Sequence, residues 1–187
     1  MELAMLEKEV VPFSYPRHLR AVTELVVTDF ADAPGSWRDG PVRELIGLPR
    51  LAPMAAGLVR RALRNRPTIG FVWIKDGKVI GNITLHPVGT DRKRWEIEDV
   101  GVVRSYRKRG MGRALMLMGL REIARRGGGC VVLKVFDDNE PARRLYESLG
   151  FAVTGPVDQP PRHLKIGMSR PVTLADLRLL LAPSGRA

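Results

Sequence analysis

Thirteen residues, RSYRKRGMGRALM from Arg104 to Met116, place five cations and two glycines directly ahead of an apolar run. The hydrophobic stretch before them ends near Val103. Met111, Ala114, Leu115 and Met118 then recur at i, i+3, i+4 and i+7, the spacing of one helix face. The turn Arg107-Lys108-Arg109-Gly110-Met111-Gly112 therefore falls between a strand and the first turn of a helix. A helix N-terminus offers unpaired backbone N–H groups and the positive end of the helix dipole, and glycines let an anion approach them closely. Arginines nearby add charge-assisted contacts. This is chemistry for a phosphate or a pyrophosphate, although the same letters also describe a solvated basic helix face. Two nucleotide motifs are excluded. No Gly-x-x-x-x-Gly-Lys-Ser/Thr string occurs, and Gly-x-Gly-x-x-Gly meets Leu115 at its third small position.

The elements that must hold this turn follow from pattern. EKEVVPFSY reads as a first strand, and RHLRAVTELVVTDF follows with apolar residues at helical spacing. Residues 31–53 are rich in Pro, Gly and Trp and read as loop, and MAAGLVRRALRNR as a basic amphipathic helix. TIGFVWIK and KVIGNITLHPV flank Asp76-Gly77, a strong hairpin signal, and RWEIEDVGVV completes an antiparallel meander. The helix after the glycine turn halts at Gly127-Gly128-Gly129. CVVLKVF is a buried-type strand with Cys130 expected as a small core residue. In NEPARRLYESLG, Asn139 can cap a second short helix and Pro141 suits its first turn. FAVTG and HLKIGMS close the sheet. The order β-α-α-β-β-β-α-β-α-β-β makes an α/β (α+β) mixed sheet of about seven strands, mostly antiparallel, flanked by helices. One domain over residues 1–170 is expected, with 171–187 as a tail able to form a short helix.

The 187 residues carry a formal charge of +11, which favours an anionic partner. No metal is expected, since the single cysteine and three histidines are scattered. No signal peptide or membrane span is visible, so a cytoplasmic protein is expected. Nucleic acid is not the expected partner, because no base-reading motif accompanies the charge.

Two separated strings resemble the GNAT superfamily of N-acetyltransferases. RKRGMG, after VGVVRSY, is similar to the family's Arg/Gln-x-x-Gly-x-Gly/Ala signature. NEPARRLYESLGF is similar, without a gap, to its Asn-x-x-Ala-x-x-Leu-Tyr-x-x-x-Gly-Phe block. The likeness covers about residues 79–168. It implies a GNAT-type acyl-CoA N-acyltransferase fold and acetyl-CoA as cosubstrate, with a small-molecule or peptide amine as acceptor. The implied pyrophosphate grip is Arg107, Lys108, Arg109, Gly110, Met111, Gly112 and Arg113. The pantetheine arm would lie along Val102, Val103 and Arg104. Asn139 would contact that arm or hold the loop around it, and Tyr146 would be the proton donor to the departing thiolate. By pattern alone, Tyr146 is equally a core residue beside Ala142 and Leu149.

Direct attack on a thioester needs a neutral amine, hence a base. Strand alternation puts Glu96, Glu98, Val100 and Val102 on one face, toward the cofactor. Glu96, eleven positions before Arg107, matches the base position of histone-type members, and Glu98 is the alternative. Either could instead be a rim carboxylate pairing with Arg92 or Arg94. Lys134 stands where ribosomal N-terminal acetyltransferases resemble one another in carrying a glutamate, which disfavours that acceptor. Asp29, Asp32, Asp39 and Glu44, in the segment expected to line the acceptor side, suit a cationic acceptor. A non-catalytic acetyl-CoA sensor is the alternative to an enzyme, and a homodimer is compatible with the sequence.

Overall fold

Asp76 and Gly77 turn the chain with φ of 49° and 73°, the double positive φ that a two-residue hairpin loop requires. The computed structural model describes residues 9–14, 17–18, 21–22, 25, 69–158, 165–173 and 176. The expected basic helix at 54–66, the loop segment at 31–53 with its acids, and most of the tail lie outside these residues.

Among the described residues, seven strands form one sheet in the order β1-β2-β3-β4-β5-β7-β6. They are β1 (Val10–Pro12), β2 (Ile69–Lys75), β3 (Lys78–Val88), β4 (Arg94–Val102), β5 (Cys130–Phe136), β6 (Ala152–Asp158) and β7 (Lys165–Pro171). Six neighbouring pairs hold them together, and only β4 with β5 is parallel. A parallel neighbour needs a crossover, and α1 (Met111–Arg125) supplies it. A second helix, α2 (Glu140–Ser148), connects β5 to β6. The mixed, mostly antiparallel architecture expected from the sequence is the one found. The first strand is shorter than expected, three residues.

Both helices cover the same face, called the front here. Leu115, Met116, Leu120 and Ile123 of α1 and Tyr146 of α2 are buried in one core with Ile83, Leu85, Trp95, Leu133 and Met168 of the sheet. Gly119 makes this fit possible, because a Cβ there would lie 2.7 Å from Ile83 Cδ1. On the back face, Val22 and Leu25 pack on Val72 in a second, smaller cluster. Arg17, His18, Ala21, Val22 and Leu25 are helical, as the spacing of that segment predicts.

Beyond β7 the chain is tied to its own domain. Asp176 Oδ2 accepts hydrogen bonds from Thr173 N (2.7 Å), Thr173 Oγ1 (2.9 Å) and Arg170 Nη2 (2.7 Å). Arg170 Nη1 also donates to Leu149 O at 2.9 Å. Among the described residues, no helix is long and apolar enough to cross a membrane.

Candidate active site

The parallel pairing of β4 with β5 stops early. The register runs Arg94↔Cys130, Trp95↔Val131, Glu96↔Val132, Ile97↔Leu133 and ends there. β4 nevertheless continues to Val102, and β5 to Phe136 along β7. The two strands thus splay, leaving a cleft with the second half of β4 as one wall.

A bulge shapes that wall. Between Asn82 and Thr84 of β3, β4 carries one extra residue, and Asp99 there has φ of 51°. Two buried polar side chains pin the bulge: Asn82 Nδ2 donates to Asp99 O (2.6 Å) and Thr84 Oγ1 to Glu98 O (2.9 Å). A single extra residue reverses the side-chain phase of everything after it. Glu96 and Glu98 oppose His86 and Thr84 on the back face, whereas Val102 opposes Gly81, where a Cβ would touch Leu115 of α1 at 3.1 Å. The expectation that Glu96, Glu98, Val100 and Val102 share one face is therefore corrected. The glutamates face back, and Val100 and Val102 pack against the front core.

Val103 N donates to Ile80 O of β3 at 2.9 Å. Main-chain groups alternate in direction along a strand, so those of Val102 point away from β3, toward the cleft. Arg107 Nε donates to Val102 O at 2.8 Å across this edge. A short 3-10 turn, Arg104–Tyr106, then carries the chain into the glycine loop. Lys108 and Gly110 there have φ of 59° and 81°. Gly110 caps α1 without a side-chain bond, and the helix's first backbone bond runs from Ala114 N to Gly110 O (3.0 Å). The amides of Met111, Gly112 and Arg113 precede that bond, at the positive end of the helix dipole. Nearby cations are partly committed: Arg113 Nη1 donates to Ser148 Oγ (2.9 Å), and Arg109 lies 5.6 Å from the Tyr106 ring centre. The backbone turn, more than these side chains, has the form of an anion cradle.

Tyr146 is 9% exposed and packs on Phe151, with ring centres 6.1 Å apart. Burial pushes its phenol up to about 12. Asn139 caps α2, its Oδ1 accepting from Ala142 N at 3.3 Å. Both sequence expectations for this residue pair, a cap and a buried ring, are met in structure. Arg143 bonds Asp137 through Nη1 (2.9 Å) at the helix start.

The glutamates differ in their surroundings. Glu98 Oε2 lies 3.0 Å from Nε2 of buried His86. Glu96 Oε1 lies 3.3 Å from Lys134 Nζ and lines a groove of about 300 Å³ over β4, β5, β7 and β6. These partners differ from the expected Arg92 and Arg94. Cys130, expected in the core, is only partly buried and lines the same groove. Sequence reasoning misses His86, although Asn82, Thr84 and His86 at i, i+2 and i+4 form a polar row within an apolar strand.

Comparisons with known proteins bear on the family and the fold. The model of the acetyltransferase (GNAT) family matches residues 22–151. A mycothiol acetyltransferase from Thermomonospora curvata is 39% identical over 139 residues, covering 72% of this chain and 41% of that protein. The chain thus spans about two fifths of the length of that relative. In fold it is similar to a protein from Desulfovibrio desulfuricans assigned to the GNAT family, with TM-score 0.67 and 19% identity over 88% of this chain and 98% of that one. A Salmonella typhimurium protein solved with its cofactor acetyl-CoA gives TM-score 0.63 at 22% identity, over 88% and 93% of the two chains.

Proposed function

Since this chain belongs to the acetyltransferase (GNAT) family, we propose that it moves the acetyl group of acetyl-CoA to a primary amine by direct attack. The observation that carries this reading is the splayed β4–β5 pair opening straight into the glycine turn of α1. In it, the amides of Met111, Gly112 and Arg113 hold the pyrophosphate, with Arg107, Lys108, Arg109 and Gly110 forming the loop around it. Val102, Val103 and Arg104 line the pantetheine arm. The N–H near Val102 polarises the thioester carbonyl, and Asn139 fixes the loop at the start of α2.

Of the two glutamates, the groove favours Glu96 as base. It opens onto space that an amine can enter, whereas Glu98 Oε2 is buried against His86. Glu96 takes the ammonium proton. The amine nitrogen then bonds to the thioester carbon as the C–S bond breaks, Tyr146 donates its phenol hydrogen to the departing sulfur, and the second proton shed by the nitrogen as the amide forms restores the phenol. Holding amine and thioester together supplies much of the rate. The likeness to a mycothiol acetyltransferase supports a small molecule, rather than a protein, as acceptor.

The test is release of CoA thiol from acetyl-CoA with a panel of primary amines, with the acetylated product identified by mass. Glu96→Gln is expected to lower kcat by about 10²–10⁴-fold. A protein that binds acetyl-CoA but acetylates no amine would instead be a sensor.

A further inference from the structure

The groove beside Glu96 carries a charge pattern that bears on the acceptor. Among the described residues, three charged side chains line it: Arg94, Glu96 and Lys134. Arg94 and Glu96 are two apart on β4 and so share the back face. Lys134 stands two residues beyond Val132, the parallel partner of Glu96. The carboxylate is therefore flanked by a cation on either side, and the charge of these walls is positive. Lys134 is half-exposed, at 49% of its side chain. Its ammonium has three N–H donors and the contact at 3.3 Å uses one of them. Thr154 and Ser169 add hydroxyls to the walls, and Val132 an apolar patch.

A groove built for a polyamine would be lined by carboxylates in excess, because each ammonium brought out of water needs a partner. The described walls of this one hold a single carboxylate between two cations. Resting on the transfer reading above, we propose that the acceptor is a small amine that also bears an anionic group such as a carboxylate. Glu96 faces its amine, and Lys134, with Arg94, receives its anion. The acids at Asp29, Asp32, Asp39 and Glu44, which in sequence suit a cationic acceptor, lie outside the described residues.

Matched pairs of acceptors test the idea: L-alanine with L-alaninamide, L-serine with L-serinamide, and spermidine as a purely cationic amine. The amide's amine is the less basic of each pair, so at neutral pH the proton balance alone favours the amide. A preference for the acid must come from the groove. The expected kcat/KM for the acid exceeds that for its amide by at least about tenfold, the worth of one charge-assisted hydrogen bond. Lys134→Gln should erase that ratio through KM, and Lys134→Arg should keep it. Were Lys134 only a partner for Glu96, Lys134→Gln would slow acid and amide alike and leave the ratio unchanged, which overturns the proposal. Turnover of spermidine or the amides at rates equal to the acids overturns it too, while leaving amine acetylation standing. Absence of CoA release with every amine overturns both.

Discussion

Tyr146 shows how one environment serves two ends. Burial raises its pKa from 10.0 to about 12, so at neutral pH the phenol keeps the hydrogen that the proposed transfer gives to the departing sulfur. Tyr146→Phe should lower kcat about 10- to 100-fold, the worth of one hydrogen bond to a charged atom, with little change in the affinity for acetyl-CoA. Steady-state kinetics check this. The same shift has a stability consequence. A raised pKa contributes stability that is complete below the unfolded pKa, near 10, and lost as pH rises through the folded value, near 12. Between these pH values the native protein should lose about 2–3 kcal/mol more than Tyr146→Phe does, a difference measurable by denaturant titration at each pH. Glu96 and Glu98, alike in sequence, part at this scale because one meets Lys134 and the other His86.

Elements show what sequence can and cannot foretell. The hairpin at Asp76-Gly77, α1 with its glycine start, and α2 with its Asn139 cap and Pro141 are legible, because each rests on local chemistry. The bulge at Asp99 is not. Its cause is non-local: Asn82 and Thr84 reach across from β3 to hold an extra residue in β4. Missing it puts Val100 and Val102 on the wrong face. Lys134 stands out in sequence only as a departure from ribosomal N-terminal acetyltransferases, since its contact with Glu96 depends on the parallel register of two strands separated by α1. At this scale too, Asp176 anchors the chain after β7. Asp176 is buried and Arg170 largely so, with side chains 5% and 10% exposed. Asp176→Ala strands the Arg170 charge and should cost about 3–5 kcal/mol of unfolding free energy. Asp176→Glu, which keeps the charge, should cost less.

For the molecule as a whole, the order of strands matters more than the charge of +11. Placing α1 between two parallel strands in the centre of an otherwise antiparallel sheet forces a crossover at the point where β4 and β5 separate. The helix N-terminus thereby follows directly on the open edge of β4, with only the Arg104–Tyr106 turn and the glycine loop between them. We hold that the backbone of this junction, rather than the basic side chains around it, grips the pyrophosphate of acetyl-CoA. Calorimetric titration of acetyl-CoA into the native protein and into Gly112→Asp tests this most directly. A Cβ at Gly112 meets only Leu145 Cδ2, at an ordinary 3.4 Å, so the melting temperature should hold, while a carboxylate in the first helical turn repels the anion. The predicted result is affinity at least about tenfold weaker, about 1.4 kcal/mol or more, with unfolding unchanged. Equal affinity in the folded variant would contradict it.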